Sequence, residues 1–369
     1  MAMTEYYVDP SIAANSGTGT IGDPYGDLQY ALDNITRDTT DGDRINIKSG
    51  TAEVLSSAID YSTYGTPTIG APLLYRGYAS TAGDGGIGEI DLGGNAQSNT
   101  AISWCDLKIH NFSSFGITSA VADNCWLDPT TNGVVTVSTY AKLTNSFVTT
   151  WVSLNGRNGS VHGCYILLTT GSTVGSQLVS VSGGCEVSNN ILHYQSGLTL
   201  GSTYVLYVIS DGCTIQNNSF LNESSRAGYG VVLTGSKHGQ NVQGNIFENF
   251  IVGLAGSFSG EPNGTIQHNA GYNNTTDFAN MVPVIEDDNE SLSASAFAKS
   301  GSITPSKFVS DNAGFWSDVA TYFEPQDTGN VFGNFGFASL TKGAVPRPAG
   351  GGGAGGGLLR VNLGGGISG

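Results

Sequence analysis

Val187-Ser188-Asn189-Asn190-Ile191 decides the reading of this chain, because the stretch returns. Ile215-Gln216-Asn217-Asn218-Ser219-Phe220, Val242-Gln243-Gly244-Asn245-Ile246-Phe247 and Ile266-Gln267-His268-Asn269-Ala270 keep its order, loosely. The unit is apolar, any residue, Asn or Gly, Asn or Cys, then usually apolar. First-residue spacings are 215 − 187 = 28, 242 − 215 = 27 and 266 − 242 = 24. Weaker copies open at Val121, Leu143 and Val161. A unit of this length, made of short strands and Asn/Gly corners, predicts stacked coils rather than a layered domain. Unequal spacing follows if loops of different length leave one corner of each coil.

The physics of such a stack is simple. Alternate apolar residues point one way, so short strands can close around a dry interior. Each coil pairs its backbone groups with the coils on either side, about 4.8 Å away. Gly and Asn tolerate the left-handed backbone that a sharp corner needs. Stacked Asn side chains can bond along the column. Helical repeats are disfavoured, because Tyr204-Val205-Leu206-Tyr207-Val208-Ile209 and Gly230-Val231-Val232-Leu233 are short and β-branched. Cys185 and Cys213 precede two of the repeats at the same offset and should stack as small buried groups in adjacent coils.

Outside the repeats the character changes. In residues 1–50, Tyr6-Tyr7-Val8 reads as a strand, and Asp27 can cap a helix with Leu28, Ala31, Leu32 and Ile35 on one face. This helix suits a lid over the open end of the stack. Residues 51–280 hold the coils. In 281–345 the repeat is lost and aromatics crowd together, including Phe308, Phe315, Trp316, Tyr322 and Phe323, as if to plug the far end or meet a partner. Residues 346–369 are Gly-rich, with Leu358-Leu359-Arg360-Val361-Asn362-Leu363 between two glycine runs. Four large aliphatic residues are wasted on a mere spacer, so this tail reads as an anchor.

Charge and motifs narrow the function. Lys plus Arg is 14 and Asp plus Glu 30, a net charge of 14 − 30 = −16. Nucleic acid and anionic membranes are not expected partners of such a surface. The first residues show no basic and apolar export signal, so synthesis in a host cytoplasm is expected. Five cysteines without a C-x-x-C point to free thiols, and no metal or other cofactor is expected. The acidic run Glu286–Glu290 lacks the Gly and the alternating ligands of an EF-type calcium loop. There is no G-x-S-x-G and no phosphate loop.

A glycan hydrolase needs two carboxylates about 5–10 Å apart. Glu223 and Glu248, each just after a repeat strand, are the candidates, with Asp211 as a third. A lyase needs a base, for which Lys237, His238, Arg226 and Tyr229 are the nearest groups in the coil region.

The entry module Tyr7-Val8-Asp9-Pro10, Asp23-Pro24-Tyr25-Gly26-Asp27-Leu28 and Gly42-Asp43-Arg44-Ile45-Asn46-Ile47, together with the Asn-rich repeats, resembles the right-handed parallel β-helix superfamily of pectate-lyase-like proteins. The resemblance covers about residues 6–280. It implies an all-β, right-handed, single-stranded parallel β-helix with a short N-terminal capping helix and an irregular C-terminal segment. The superfamily includes lyases, hydrolases, adhesins and phage virion proteins. The R-x-P-x-x-R motif of its pectate lyases is missing, as are the N-T-D, G-H-G and R-I-K motifs of its polygalacturonases. No catalytic residue carries over. The resemblance is closest in kind to a non-catalytic phage virion protein, a head decoration or fibre-like component.

Its expected partners are other virion proteins, the major capsid protein first, and further copies of itself in a trimer. Arg347, Leu358, Leu359, Arg360, Val361 and Leu363, with Trp316 and Phe323, are the expected assembly contacts. The alternative is a tailspike-like protein that binds or degrades polysaccharide, using Glu223, Glu248 and Asp211.

Overall fold

In the computed structural model the chain is described over residues 3–324, apart from 130–132, 169–176, 196–203, 210, 224–227, 235–238, 258–263, 280–284, 288 and 296. The described residues form three sheets of 12, 11 and 9 strands, every pairing parallel. Each sheet takes one strand per coil in chain order, so the sheets are the three walls of a right-handed parallel β-helix.

The repeat fixes the register. Val187 pairs with Ile215, Ile215 with Val242 and Val242 with Ile266, so the first residues of the unit form one buried column of the first sheet. The column runs back through Val161, Leu143, Ala122, Trp104, Tyr75 and Ile45. Here the sequence reading slips by one residue. Ala122, not Val121, aligns with Leu143. Ala122 is wholly buried and Val121 is half-buried on the outside. The second interior column holds Ile109, Leu127, Val148, Ile166, Leu192, Phe220 and Phe247. The third holds Phe115, Val135, Val152, Val179, Leu206, Val231 and Leu254.

Corner chemistry explains the rest of the unit. Its third residue has positive φ in every copy, from 48° at Asn145 to 65° at Gly163, with Asn189, Asn217, Gly244 and His268 between. Asn and Gly are the residues that occupy this region at least cost. The fourth residue builds a buried ladder. Asn190 donates its backbone N–H and its Nδ2 to Asn218 Oδ1, each at 3.0 Å. Asn218 does the same to Asn245, Asn245 to Asn269 and Asn269 to Asn289. Each Nδ2 also donates to a carbonyl of the preceding coil, such as Val187 O from Asn218 at 2.9 Å. A buried amide is affordable only when its hydrogen-bonding groups are met in this way.

Both ends differ from the middle. At the N-terminal end α1 (Leu28–Asn34) buries Leu28, Ala31 and Leu32, and Asp27 caps it by accepting from Tyr30 N–H at 2.6 Å. The lid is therefore present. The strands Thr4–Val8 and Asp43–Lys48 are nevertheless already part of the first sheet, so the coils begin well before residue 51. Two interior columns end in polar residues here. Glu53 accepts from Leu28 N–H at 3.1 Å, and Gln97 accepts from Ile59 N–H at 3.1 Å.

At the other end the strands Ile285–Asp287 and Glu290–Ser291 continue the first two sheets past residue 280. The described aromatics, up to Phe323, lie elsewhere than at that end. Residues 292–324, with α2 (Lys307–Ser310) and α3 (Asn312–Tyr322), lie as a strap along the outer flank of the second sheet. Phe308, Phe315, Trp316, Val319 and Phe323 pack there on Trp126, Phe147, Tyr165, Leu167, Ile191, Leu221, Ile246 and Ala270.

None of the five cysteines is in a disulfide. Cys185 and Cys213 are both buried in adjacent coils, and burial pushes the Cys185 thiol up to about 11.

Candidate functional site

The outer flank of the second sheet carries both candidate carboxylates, Glu223 and Glu248, beside the buried His193. Strand alternation puts residues 219, 221 and 223 of one coil, and 246 and 248 of the next, on this outer side. Under the strap the column reads Trp126, Phe147, Tyr165 and Ile191. Ring centroids are 5.5 Å apart for Trp126 and Phe147, and 5.4 Å for Phe147 and Tyr165. Phe315 closes on Phe147 at 4.9 Å and Phe323 on His193 at 5.4 Å.

Two polar chains cross this apolar contact. In the first, Tyr165 Oη is 2.9 Å from His193 Nδ1, His193 Nε2 is 3.4 Å from Glu223 Oε1, and Tyr322 of the strap donates its hydroxyl to that same oxygen. In the second, Lys299 of the strap forms an ion pair with Glu248 Oε1, and Ser295 Oγ lies 3.1 Å from both carboxylate oxygens. Glu248 is wholly buried. Burial, then the bond to Glu223, raises the Tyr322 hydroxyl above its ordinary value. Burial, then the Glu223 charge, does the same for Tyr165. Both phenols stay protonated and act as donors through the neutral range.

The sequence-expected residues fall as follows. Glu223 and Glu248 do come together on one flank, on successive coils, but with the strap over them rather than in an open groove. Asp211 does not join them; it sits exposed at the corner before the strand Thr214–Gln216 of the first sheet. Trp316 and Phe323, expected to touch a partner, are 1% and 5% exposed and belong to the chain's own strap contact. Tyr229 stands on the third sheet, where its ring lies 5.5 Å from that of Tyr204. Arg226, Lys237, His238, Arg347, Leu358, Leu359, Arg360, Val361 and Leu363 lie outside the described residues.

Sequence reasoning missed a second polar patch on the same flank, which begins at the strap-covered Trp126 and runs toward the N-terminal coils. Glu89, Lys108 and Trp126 stack in one column, and Asp91, His110 and Asp128 in the next. Lys108 Nζ is 2.5 Å from Glu89 Oε1, His110 Nε2 is 3.1 Å from the same oxygen, and Lys108 lies 4.8 Å from the Trp126 ring centre. The imidazole, then the Lys108 ammonium, hold the Glu89 carboxyl down at about 2. A carboxylate so firmly ionised cannot serve as a general acid. The patch knits three coils together. Its members carry no motif, and only the coil register could have grouped them.

No group of His, Cys, Asp and Glu with metal-holding geometry occurs among the described residues. No described helix is long and apolar enough to cross a membrane.

Neither a family model nor a curated protein matches the chain. Solved structures do. It is similar to a mannuronic acid specific polysaccharide family 6 lyase from human gut microbiota, at 11% identity and a TM-score of 0.42, over 92% of this chain and 99% of that one. It is similar to the GH136 lacto-N-biosidase of Eubacterium ramulus, at 12% identity and a TM-score of 0.40, over 78% of this chain and 68% of that one. ORF18 of Geobacillus virus E2 follows at 11% identity and a TM-score of 0.33, over 78% of this chain and 60% of that one. None of these likenesses bears on a particular residue of the chain.

Proposed function

We propose that the chain is a structural surface component of a phage particle, a head decoration or fibre-like element, held by its C-terminal tail. The observation that carries this reading is the strap. It engages both candidate carboxylates, Glu248 through Lys299 and Ser295, and Glu223 through Tyr322. The flank with the richest chemistry is thereby closed by the chain itself, which favours a role in shape over cleavage of a polymer. Internal neutralisation of Glu248 also weighs against the tailspike-like alternative, which needs an open carboxylate pair.

The remaining features suit a rod with one attachment point. Residues 346–369 carry +2, from Arg347 and Arg360, and the rest of the chain −16 − 2 = −18. Leu359, Val361 and Leu363 alternate with Arg360 and Asn362, a pattern suited to adding a strand to a partner's sheet edge. Major capsid protein is the proposed partner. A truncation ending at residue 345 should fold as the full chain does and fail to join particles in an assembly assay. Incorporation of the truncated chain at the full-length level would refute the role of the tail.

A further inference from the structure

The three walls of the rod are not alike in charge. Strands of the first sheet carry Arg44, Lys48, Arg76, Asp123, Lys142 and Glu186, among others. Strands of the second carry Glu89, Asp91, Lys108, Asp128 and Glu248, among others. The nine strands of the third sheet hold one charged residue, Asp277. Its carboxylate accepts from the chain's own Asn274 at 2.8 Å and from Ser291 of the second sheet. In a chain of net charge −16, the strands of one wall thus present no free charge.

The register shows what faces outward there. Next to the inward column of Val135, Val179, Leu206 and Val231 runs an outward one, from Ser98 through Thr136 and Ser180 to Tyr207, Val232 and Ala255. From Thr136 to Ala255 these five are half-buried, so each keeps a side turned outward. The wall bears hydroxyls toward the N-terminal end and becomes apolar toward the other. There the rings of Tyr204 and Tyr207 lie 5.1 Å apart with planes 17° from parallel, and Tyr229 lies 5.5 Å from Tyr204. Ile209 and Ile251, at the margins of this region, are each 40% exposed.

A face of this kind fits a partner that brings no charge to it. The same wall of another copy meets that condition, and the other two walls do not. Interface cores are poor in Asp, Glu and Lys and rich in Tyr. Size agrees as well. Nine strands about 4.8 Å apart, each about five residues long at about 3.3 Å per residue, span roughly 600 Å² per copy, or about 1,200 Å² for two, the lower bound of a specific interface. A saccharide fits less well, because two other rings pack on Tyr204 and leave it little open face for stacking.

We propose that the chain forms a closed homo-oligomer in which the third wall of each copy is turned inward against the third walls of the others. Contact of like face with like face is open to this wall, because it carries no charge that repels its own copy. The charged first wall and the strap-covered second wall then face outward. This inference stands independently of the virion role, because its test uses purified protein without particles.

Light scattering after size-exclusion chromatography of the full-length protein should give a mass of more than one chain. Ser180→Glu with Ala255→Glu puts like charges on the outward column and should give a monomer with the parent's circular dichroism. Thr214→Glu with Gln243→Glu makes the same change at half-buried outward positions of the first sheet and should leave the oligomer intact. A milder variant guards against misfolding: Tyr207→Ser should raise the concentration at which the oligomer dissociates by about tenfold. A monomeric parent would overturn the proposal, whether or not a neutral polysaccharide such as dextran retards it in an affinity gel. So would an oligomer that survives the third-wall charges, or one that the first-wall charges dissolve equally.

Discussion

At the scale of single residues, the rod depends on polar groups placed where a core expects apolar ones. Asn245 shows what each ladder member does. It accepts from Asn218, donates to Asn269 and to Ile215 O, and is wholly buried. Asn245→Leu has the right volume but strips Asn218 of its acceptor and Ile215 of its donor. With about 1–3 kcal/mol lost for each orphaned buried group, the variant should be less stable by roughly 3–5 kcal/mol in urea unfolding. A loss under about 1 kcal/mol would mean that the ladder is ornamental.

Glu53 is the second case. It occupies an interior column beneath α1, and burial raises its carboxyl from 4.5 to about 7, against the opposing bond from Leu28 N–H. The folded chain therefore holds a proton that the unfolded chain releases between these values. Stability falls as pH rises through that window and is level on either side of it. Glu53→Gln keeps an acceptor for Leu28 and removes the charge. It should match the parent near pH 4.5 and exceed it at pH 8, by on the order of 1–3 kcal/mol. The ladder was legible in the sequence, because Asn recurs at one offset. Glu53 was not, since a lone Glu in a short strand looks like any surface residue until the lid is in place.

At the scale of elements, the strap is the informative piece. Its aromatics were visible in the sequence, but their destination was not. Lateral docking depends on an outer face of the second sheet that is apolar through Trp126, Phe147, Tyr165 and Ile191, and that stripe emerges only once the register is known. The same holds for Glu223 and Glu248, which the sequence offered as candidate carboxylates but could not place under the strap.

The Glu248–Lys299 pair makes the docking testable. Lys299→Met leaves a charge buried without its partner, which costs about 3–5 kcal/mol where the geometry is tight. The strap should then detach locally while the rod persists. Trp316 emission should shift to the red and a hydrophobic dye should bind, with the β-sheet circular dichroism unchanged. The double variant Glu248→Gln with Lys299→Met should recover most of the docking, because no charge is then left buried. A single variant indistinguishable from the parent would show that the ion pair contributes nothing to the closure.

At the scale of the whole molecule, the fold and its limits come from the same cause. A solenoid repeats one local solution, so a few clear copies suffice to infer the three walls. What the repeat does not encode is what happens at its ends and on its flanks, where each contact is made once. There the strands ran beyond both expected boundaries, from Thr4 to Ser291, and the aromatic segment turned sideways. The proposed role rests on those singular contacts, which is why it was far less legible than the fold.

The central claim is that the rod closes its own reactive flank and acts through its shape. Hydrogen–deuterium exchange on the full-length protein tests it most directly. Amides of α3 and of the strands Tyr165–Leu168 and Ile191–Tyr194 should be protected to a similar depth as the rungs Thr214–Gln216 and Asn241–Gln243. Fast exchange throughout α3 beside fully protected rungs would contradict the account, because the flank would then stand open to a ligand.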